Sequence, residues 1–428
     1  MLNGIFVGLV VISILLAAVT GKMEQVTNAI LQDSRTAVSL SIGLVGVMAF
    51  FLGLMKVAED GGLLRVVARG ISPVMSRLFP TVPPDHPAMS AMIMNIASNI
   101  LGLGNAATPF GIKAMEELDT LNGEKGTATN AMVLFLAINT AGLAILPSGV
   151  VGIRAAAGSL DATGIFFPTW VASGTATLVA ILAAMWLSRL PRYSATRPPD
   201  LPAERQPPAQ EPVEESVGSS RWRRAATLIG GLAFVGLLVR HTVHAAREQP
   251  LHEWVRDVMS YWMLPAIVGS LVIFGWARGV RVYDSLVEGA KDGFNVALRI
   301  IPFLVAILVA IGMFRASGGI DLIVSTIGPV TALIGMPAEA LPMAIMRPLS
   351  GSGALGVMTA TMDAHGPDSL IGYMVSTYQG STETTFYVLA VYFGAVRVTQ
   401  TRHALPACLL ADVAGILAGT FIVNLMYG

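Results

Sequence analysis

The chain has 428 residues with 27 basic and 27 acidic side chains, and a net charge of zero argues against the basic surface that nucleic-acid binding requires. Hydrophobic residues make up 54% and charged residues 13% of the chain, against about 45–50% and about 25% in soluble domains. The single cysteine, Cys408, excludes an intrachain disulfide. The composition therefore predicts an all-α polytopic membrane protein in contact with lipid, with no nucleic-acid partner.

Several apolar runs are at or near the roughly 17–25 residues that a spanning helix needs. They comprise residues 5–19, 40–55, 132–146, 170–187, 228–239, 263–276, 300–313 and 405–426. The first run lacks a positively charged leader and a clear small-residue cleavage site, so we expect an uncleaved first span. Residues 63–79 have a polar stripe opposite an apolar one, which favours a helix lying in the membrane interface.

The segment 88–111 begins as an apolar run but contains asparagines, glycines and a proline. In lipid every backbone N–H and C=O must be satisfied internally, so such a break is tolerated only where it is buried in protein or lines a cavity. Broken helices at this depth are typical of the ligand sites of transporters. Asn95 and Asn99 are four residues apart and share one helical face. The side chains of this segment that we predict to bind a solute are Asn95, Ser98, Asn99, Asn105 and Thr108.

A second interruption follows in residues 132–149. Asn139 and Thr140 lie within the apolar run, which then meets Pro147 and Gly149. This pattern indicates a second discontinuous helix, and we add Asn139 and Thr140 to the predicted site.

Residues 191–220 separate two halves of the chain, 1–190 and 221–428. This stretch has seven prolines, charges of both signs and almost no large apolar residues, which predicts a disordered linker. Arginines flank it on both sides close to span ends, so the positive-inside rule predicts that the linker is cytoplasmic. The loop with His241, His244 and His252 would then face the opposite side of the membrane.

The second half repeats the order of interruptions found in the first. A shift of 252 residues aligns Ile93, Met94, Ser98, Leu103 and Gly104 with Ile345, Met346, Ser350, Leu355 and Gly356. Interrupted hydrophobic segments in corresponding positions of two halves indicate the binding site of a transporter.

Arg347 takes the place of Asn95 in this repeat. A charge at membrane depth costs roughly 2.5–3.5 kcal/mol, so the guanidinium must be paired or hydrated. Two interpretations remain open: a clamp on an anionic or polar substrate group, or a salt bridge to Glu383 or Asp363 that locks the broken helices. The polar run 379–385 suits a neutral polar ligand or a coupling cation at Glu383; alternatively, it is a surface turn between two short helices. The predicted ligands in this half are Arg347, Ser350, Ser352, Gln379, Ser381, Thr382 and Glu383.

Enzymatic function is not expected from the sequence. Residues 104–113 have the wrong spacing for a phosphate-binding loop, and no metal-binding His-Glu-x-x-His helix is present. Ser352 with His365 nearby gives no convincing pair of nucleophile and base. We therefore predict no catalytic residues, no bound metal and no cofactor.

Two sets of motifs resemble a known family. The first half contains GLMKVAE (53–59) and NILGLGNAATP (99–109), and it resembles spore maturation protein A. The second half contains RPLSGS (347–352) and QGSTETTFY (379–387), and it resembles spore maturation protein B. The resemblance implies an A–B fusion in which each half is a "Gate" (nucleoside recognition) domain. It also implies a multi-pass protein of the bacterial inner membrane, linked in spore formers to dehydration of the spore core.

Together these features predict two Gate-type repeats with discontinuous, re-entrant helices, related by an inverted pseudo-two-fold axis. We expect the broken helices to meet near the midplane and to move a small polar solute. The alternative is a membrane scaffold or assembly factor that has lost transport, with apolar packing in place of a hydrated pocket. Association into homo-oligomers through the glycine-rich spans is also expected.

Overall fold

The computed structural model of the chain describes residues 2–102, 104–145, 147–199, 201, 222, 236–237, 239–240 and 262–428. Within these ranges the protein is helical, and its one β-type pairing is an isolated bridge between Thr127 and Gln400. The all-α class predicted from the composition is confirmed for this part of the chain. The predicted histidine loop (His241, His244 and His252) lies outside the described residues.

The helices of the first half are α1 Leu2–Thr20, α2 Met23–Asp60, α3 Leu63–Leu78, α4 Pro87–Ile100, α5 Gly104–Thr120, α6 Asn130–Ala141, α7 Ser148–Ala156, α8 Phe166–Leu187 and α9 Pro191–Ser194. Those of the second half are α10 Met263–Ala277, α11 Val282–Ala316, α12 Gly319–Ala332, a 3-10 turn Ala338–Ala340, α13 Leu341–Leu349, α14 Gly351–His365, α15 Leu370–Ser381, α16 Thr385–Ala395 and α17 Ala404–Tyr427.

The order of helices α2 to α8 is repeated by α11 to α17. A long helix, a short helix with an internal proline and two interrupted helix pairs precede a long final helix in both halves. The local signals match as well: α6 and α15 both have 12 residues, and each begins at a hydroxyl cap. Thr129 accepts from the Met132 N–H at 3.2 Å, and Ser369 accepts from the Gly372 N–H at 3.0 Å.

Equivalent long helices of the two halves pack against each other and run antiparallel. At the end of α17, the Tyr427 hydroxyl donates to the Gly164 carbonyl just before α8, at 2.7 Å. At the other end, the ring of His403 just before α17 lies 5.5 Å from that of Tyr193, which follows α8. Helices α2 and α11 are the most extensively packed pair, and they form the second antiparallel contact between halves.

Two helices in the described ranges are long and apolar enough to cross a membrane, Phe166–Leu187 and Ala404–Tyr427. Shorter apolar helices are Phe6–Thr20, Asn130–Ala141 and Pro265–Ala277. The predicted run 132–146 is thus a 12-residue helix, because Gly142 adopts a left-handed conformation (φ 57°) that ends α6. The predicted run 300–313 is the last part of the 35-residue α11.

The predicted linker begins with ordered residues. Pro191–Ser194 form α9, and the Leu201 N–H donates to the Leu121 carbonyl at 3.0 Å. The Gly123 N–H likewise donates to the Pro199 carbonyl at 3.0 Å. Pro199 and Leu201 are therefore held against the first half by backbone pairing with the α5–α6 loop. Residues 202–220 lie outside the described part of the chain.

Arg154, near the end of α7, joins the two halves at the end opposite α9. Its side chain is completely buried, and it donates to the Pro367 carbonyl at 2.7 Å and to Asp368 at 2.9 Å. The guanidinium carbon lies 4.4 Å from the centre of the Tyr373 ring. A buried cation whose partners come from both halves fixes their relative position at this end.

We expect Arg154→Ala to lower the free energy of unfolding by about 3–5 kcal/mol, because it removes one partner of a buried ion pair and leaves several acceptors unpaired. Arg281→Ala, which breaks the exposed pair with Asp284, should change it by less than about 1 kcal/mol. Reversible unfolding of the two variants in detergent measures this difference. Equal effects of the two substitutions would contradict the assignment of Arg154 as a tie between the halves.

At the other end, the buried side chain of His403 makes stability dependent on pH. Burial, together with the charge of Arg402, lowers the pKa of His403 from 6.5 to about 4. The unfolded chain therefore binds the proton first as pH falls, and stability present above pH 6.5 is lost as pH falls toward 4. The expected loss is on the order of 1–3 kcal/mol.

His403→Phe should remove this part of the acid sensitivity, as measured by unfolding between pH 7.5 and about 4.5. The exposed His365 offers a control, and His365→Gln should retain the slope of the unmodified protein. An unchanged slope in His403→Phe would show that other groups cause the acid sensitivity.

Candidate functional site

The four interrupted helix pairs meet in one place. The breaks lie between Ile100 and Gly104 (α4 and α5), between Ala141 and Ser148 (α6 and α7), at Ser350 (α13 and α14), and at residues 382–384 (α15 and α16). The Ile145 N–H donates to the Ile100 carbonyl at 2.8 Å, and the Glu383 N–H donates to the Thr140 carbonyl at 2.7 Å. Each of these hydrogen bonds joins one break to the next, so backbone groups freed in one helix pair are satisfied by another.

The break at 382–384 lies halfway along the two helices that are long enough to span. Thr382 and Ala176 both pack against Gly415. A Cβ atom added to Gly415 would lie 3.0 Å from the Thr382 methyl and 3.2 Å from the Ala176 methyl. Gly415 and Ala176 are close to the midpoints of α17 and α8. The interrupted segments therefore sit at the mid-depth of the protein.

One part of the site is a closed set of amides and one phenol. The Asn99 amide donates to Asn139 Oδ1 at 2.8 Å, and the Tyr392 hydroxyl donates to the same oxygen at 3.3 Å. Asn95 Nδ2 donates to the Tyr392 hydroxyl at 3.1 Å and to the Ala107 carbonyl at 2.7 Å. Asn95 is completely buried, and its Oδ1 has no hydrogen-bond partner among the described residues. We call this set the amide cluster.

The other part of the site is charged. Arg347, 3% exposed, donates from Nη1 to Thr384 Oγ1 at 3.1 Å, and its Nη2 lies 3.7 Å from Glu383 Oε2. The Glu383 side chain is 58% exposed although it belongs to the mid-depth break. A carboxylate at that depth needs water or a polar partner at its exposed face. We call Arg347, Thr384 and Glu383 the charged cluster.

The remaining predicted ligands divide by what their polar atoms contact. The hydroxyls of Ser98, Thr140 and Ser381 donate to carbonyls of their own helices. Ser350 caps α14 by accepting from the Gly353 N–H at 3.0 Å, and its oxygen lies 3.4 Å from that of Ser352. These hydroxyls stabilise the local helix structure, and their oxygen atoms already take part in hydrogen bonds within the protein.

Gln379 and Thr382 differ from these hydroxyls. Gln379 Oε1 and Thr382 Oγ1 are buried and have no hydrogen-bond partner in the part of the chain that the structure describes.

Thr108 lies in α5 and is partly exposed, and the side chain of Asn105 lies outside the described residues. Arg347 is paired with Glu383 rather than with Asp363, whose side chain is exposed on α14.

Four residues that were not predicted as ligands from the sequence complete the site: Thr384, Thr385, Tyr392 and Asp412. Tyr392 joins α4 to α6, and the Thr385 hydroxyl donates to Asp412 Oδ2 at 2.6 Å. Asp412 was detectable, because it is the only charged side chain within α17, and an acidic residue in a spanning helix marks a functional position by default. Nothing in the local sequence distinguishes Tyr392 from the other aromatic residues of α16.

Comparisons with a family model and with known proteins agree on the family of this chain. The nucleoside recognition (Gate) family matches residues 41–157 and 297–398, just over half of the chain. Spore maturation protein B of Bacillus subtilis (strain 168) is 46% identical over 170 residues, covering 40% of this chain and 96% of that protein. Spore maturation protein A of the same organism is 42% identical over 189 residues, covering 44% of this chain and 94% of that protein. The predicted A–B arrangement of the chain is confirmed.

Two more distant similarities complete the comparison. The inner membrane protein YjiG of Escherichia coli (strain K12) is 32% identical over 85 residues, covering 20% of this chain and 56% of that protein. The solved structure of the YdaH transporter of Alcanivorax borkumensis aligns with 98% of this chain and 96% of that chain, at 13% identity and a TM-score of 0.40. At this score the structural likeness supports no conclusion.

A substitution at Gly111 tests the close contact between α5 and Tyr392, the residue that links the members of the amide cluster. A side chain on Gly111 in α5 would lie 2.2 Å from the Tyr392 ring and hydroxyl. We expect Gly111→Ala to displace Tyr392 and to lower the free energy of unfolding by about 1–3 kcal/mol. Gly174→Ala in α8 is the control, because nothing lies within 4 Å of the added carbon, and helix propensity favours it by up to about 1 kcal/mol. Unfolding in detergent separates the two, and a neutral Gly111→Ala would contradict the close approach.

Proposed function

Because the chain belongs to the nucleoside recognition (Gate) family of membrane proteins, we propose that it carries a small polar solute across the bacterial inner membrane, through a site between its two halves. The observation that carries this proposal is the exposure of Glu383. A carboxylate that is 58% exposed at the mid-depth of the protein requires a hydrated space there. The Escherichia coli relative is named an inner membrane protein, which supports the location.

Unpartnered polar atoms support a solute as the occupant of this space. Gln379 Oε1, Thr382 Oγ1, Asn95 Oδ1 and Arg347 Nε are all buried, and none has a hydrogen-bond partner among the described residues. Buried polar atoms are normally satisfied, and each exception calls for water, an ion or a ligand. A solute with both donor and acceptor groups would meet these needs at one position.

The interrupted pairs α4–α5, α6–α7, α13–α14 and α15–α16 would then be re-entrant, discontinuous helices of two inverted repeats. The antiparallel contacts between α8 and α17 support this arrangement, since a pseudo-two-fold axis in the membrane plane reverses equivalent helices. Rocking of one half against the other would expose the site to each side in turn.

A scaffold function without transport is the second candidate. The amide cluster favours it, because Asn99, Asn139 and Tyr392 are hydrogen-bonded to one another. Two relatives are named spore maturation proteins, and that name fits an assembly factor as well as a carrier.

Uptake by the purified protein in liposomes distinguishes the two functions. The panel should contain nucleosides, dipicolinate, small organic anions and small organic cations. For a transported solute, Glu383→Gln and Asn99→Ala should each lower uptake by at least about tenfold, or about 1.4 kcal/mol in the barrier. Glu288→Gln, which changes an exposed carboxylate paired with Lys291 on α11, should retain uptake.

Absence of uptake for the whole panel by the unmodified protein would favour the scaffold. Uptake that persists unchanged in both Glu383→Gln and Asn99→Ala would leave transport intact and overturn the site.

A further inference from the structure

A buried carboxylate lies directly behind the charged cluster. Asp412 is 1% exposed and lies eight residues after the start of α17. Its Oδ2 accepts from the Thr385 hydroxyl at 2.6 Å, while its Oδ1 is buried with no hydrogen-bond partner in the described ranges. An ionised carboxylate with a free oxygen in such a place is costly, and binding of a proton removes that cost.

Two consecutive threonines connect Asp412 to Arg347. Thr384 accepts from the guanidinium, and Thr385 donates to the carboxylate. Arg347 and Asp412 attract each other electrostatically, and Glu383 lies on the guanidinium at 3.7 Å. One buried cation therefore lies near two carboxylates: it is paired with Glu383 directly and linked to Asp412 through the two threonines. The guanidinium and the two carboxylates together carry a net negative charge when both carboxylates are ionised, and no net charge when one of them carries a proton.

The two carboxylates differ in their access to water. Glu383 is 58% exposed and can be hydrated in its ionised form, whereas Asp412 has no such access. The other titratable groups on α17 and on the helices packed against it are a thiol and phenols; α6 and α8 carry none. These groups are Cys408, Tyr373, Tyr378, Tyr387, Tyr392 and Tyr427. Asp412 is thus the member of the pair that is suited to binding a proton.

A metal cation fits this position poorly. Hard cations need several oxygen ligands, while the hydroxyl nearest to Asp412 directs its hydrogen toward the carboxylate. The neighbouring guanidinium would repel a second cation. A proton needs only the free Oδ1 and brings no further ligands.

We propose that Asp412 is a proton-binding site that controls the availability of Arg347 to an anionic group of the solute. This proposal rests on the proposed transport function. With a proton on Asp412, the carboxylate becomes a neutral carboxylic acid, and Arg347 can bind the anion. When the proton leaves, the two carboxylates hold Arg347 and the anion is released. Proton and anion thus occupy the site together and cross in the same direction.

Infrared difference spectroscopy of the purified protein in lipid tests the proton site without any transport. On acidification the unmodified protein should show the carbonyl band of a buried carboxylic acid. Asp412→Asn should lose this band, whereas Asp321→Asn, at an exposed position on α12, should retain it. A band that persists in Asp412→Asn overturns the proposal. If Asp412→Asn does not fold, Asp412→Glu decides: a shifted band supports the site, and an unshifted band overturns it.

Solute uptake tests the coupling between proton binding at Asp412 and transport of the anion. With an anion from the panel that the unmodified protein transports, an inward proton gradient should drive accumulation. Asp412→Asn should lower this accumulation by at least about tenfold, a typical size of coupling between two sites, whereas Asp321→Asn, at its exposed position on α12, should retain it. Accumulation that ignores the gradient in the unmodified protein overturns the coupling. Absence of all uptake contradicts the transport function instead, and the infrared titration then still decides whether Asp412 binds a proton.

Discussion

The structure depends on mutual satisfaction of backbone groups at three of its four helix breaks. A helix that stops at mid-depth leaves N–H and C=O groups without partners, and lipid supplies none. Here the Glu383 N–H and the Thr140 carbonyl, one from each half, satisfy each other at 2.7 Å. Neither half can form this contact alone, so it joins the two halves at their interruptions.

The repeat explains the geometry of the site, and departures from the repeat explain its chemistry. Equivalent breaks come together because equivalent helices run antiparallel across the contact. The first half contributes neutral amides, whereas the second contributes Arg347 and Glu383. A duplicated fold has thereby acquired one surface suited to hydrogen bonding and one suited to charge. Hydrogen-bonding groups beside a charged pair would suit the polar solute proposed above.

Side-chain contacts of charged and aromatic residues join the two halves at both ends of the protein. Arg154 has hydrogen-bond partners in both halves, which fixes one end. At the other end, His403 and Arg402 pack against the segment that follows α8. Between these ends several buried polar atoms have no partner among the described residues. The ion pair of Arg154 with Asp368 and the contact of the Tyr193 and His403 rings tie the two halves at their ends, and the interrupted helices lie between these contacts.

The sequence by itself determined the helical class, the repeat and the positions where helices break, because hydropathy, glycine and proline act locally along the chain. It also identified Arg347 and Glu383, since a charge inside an apolar run is conspicuous. Asp412 was equally visible as the one charged residue of α17. Only the tertiary structure decided that Arg347 pairs with Glu383, that Tyr392 joins Asn95 to Asn139, and that Arg154 ties the halves. These contacts join residues far apart in the chain, where partner choice follows from the packing of helices and not from any local pattern.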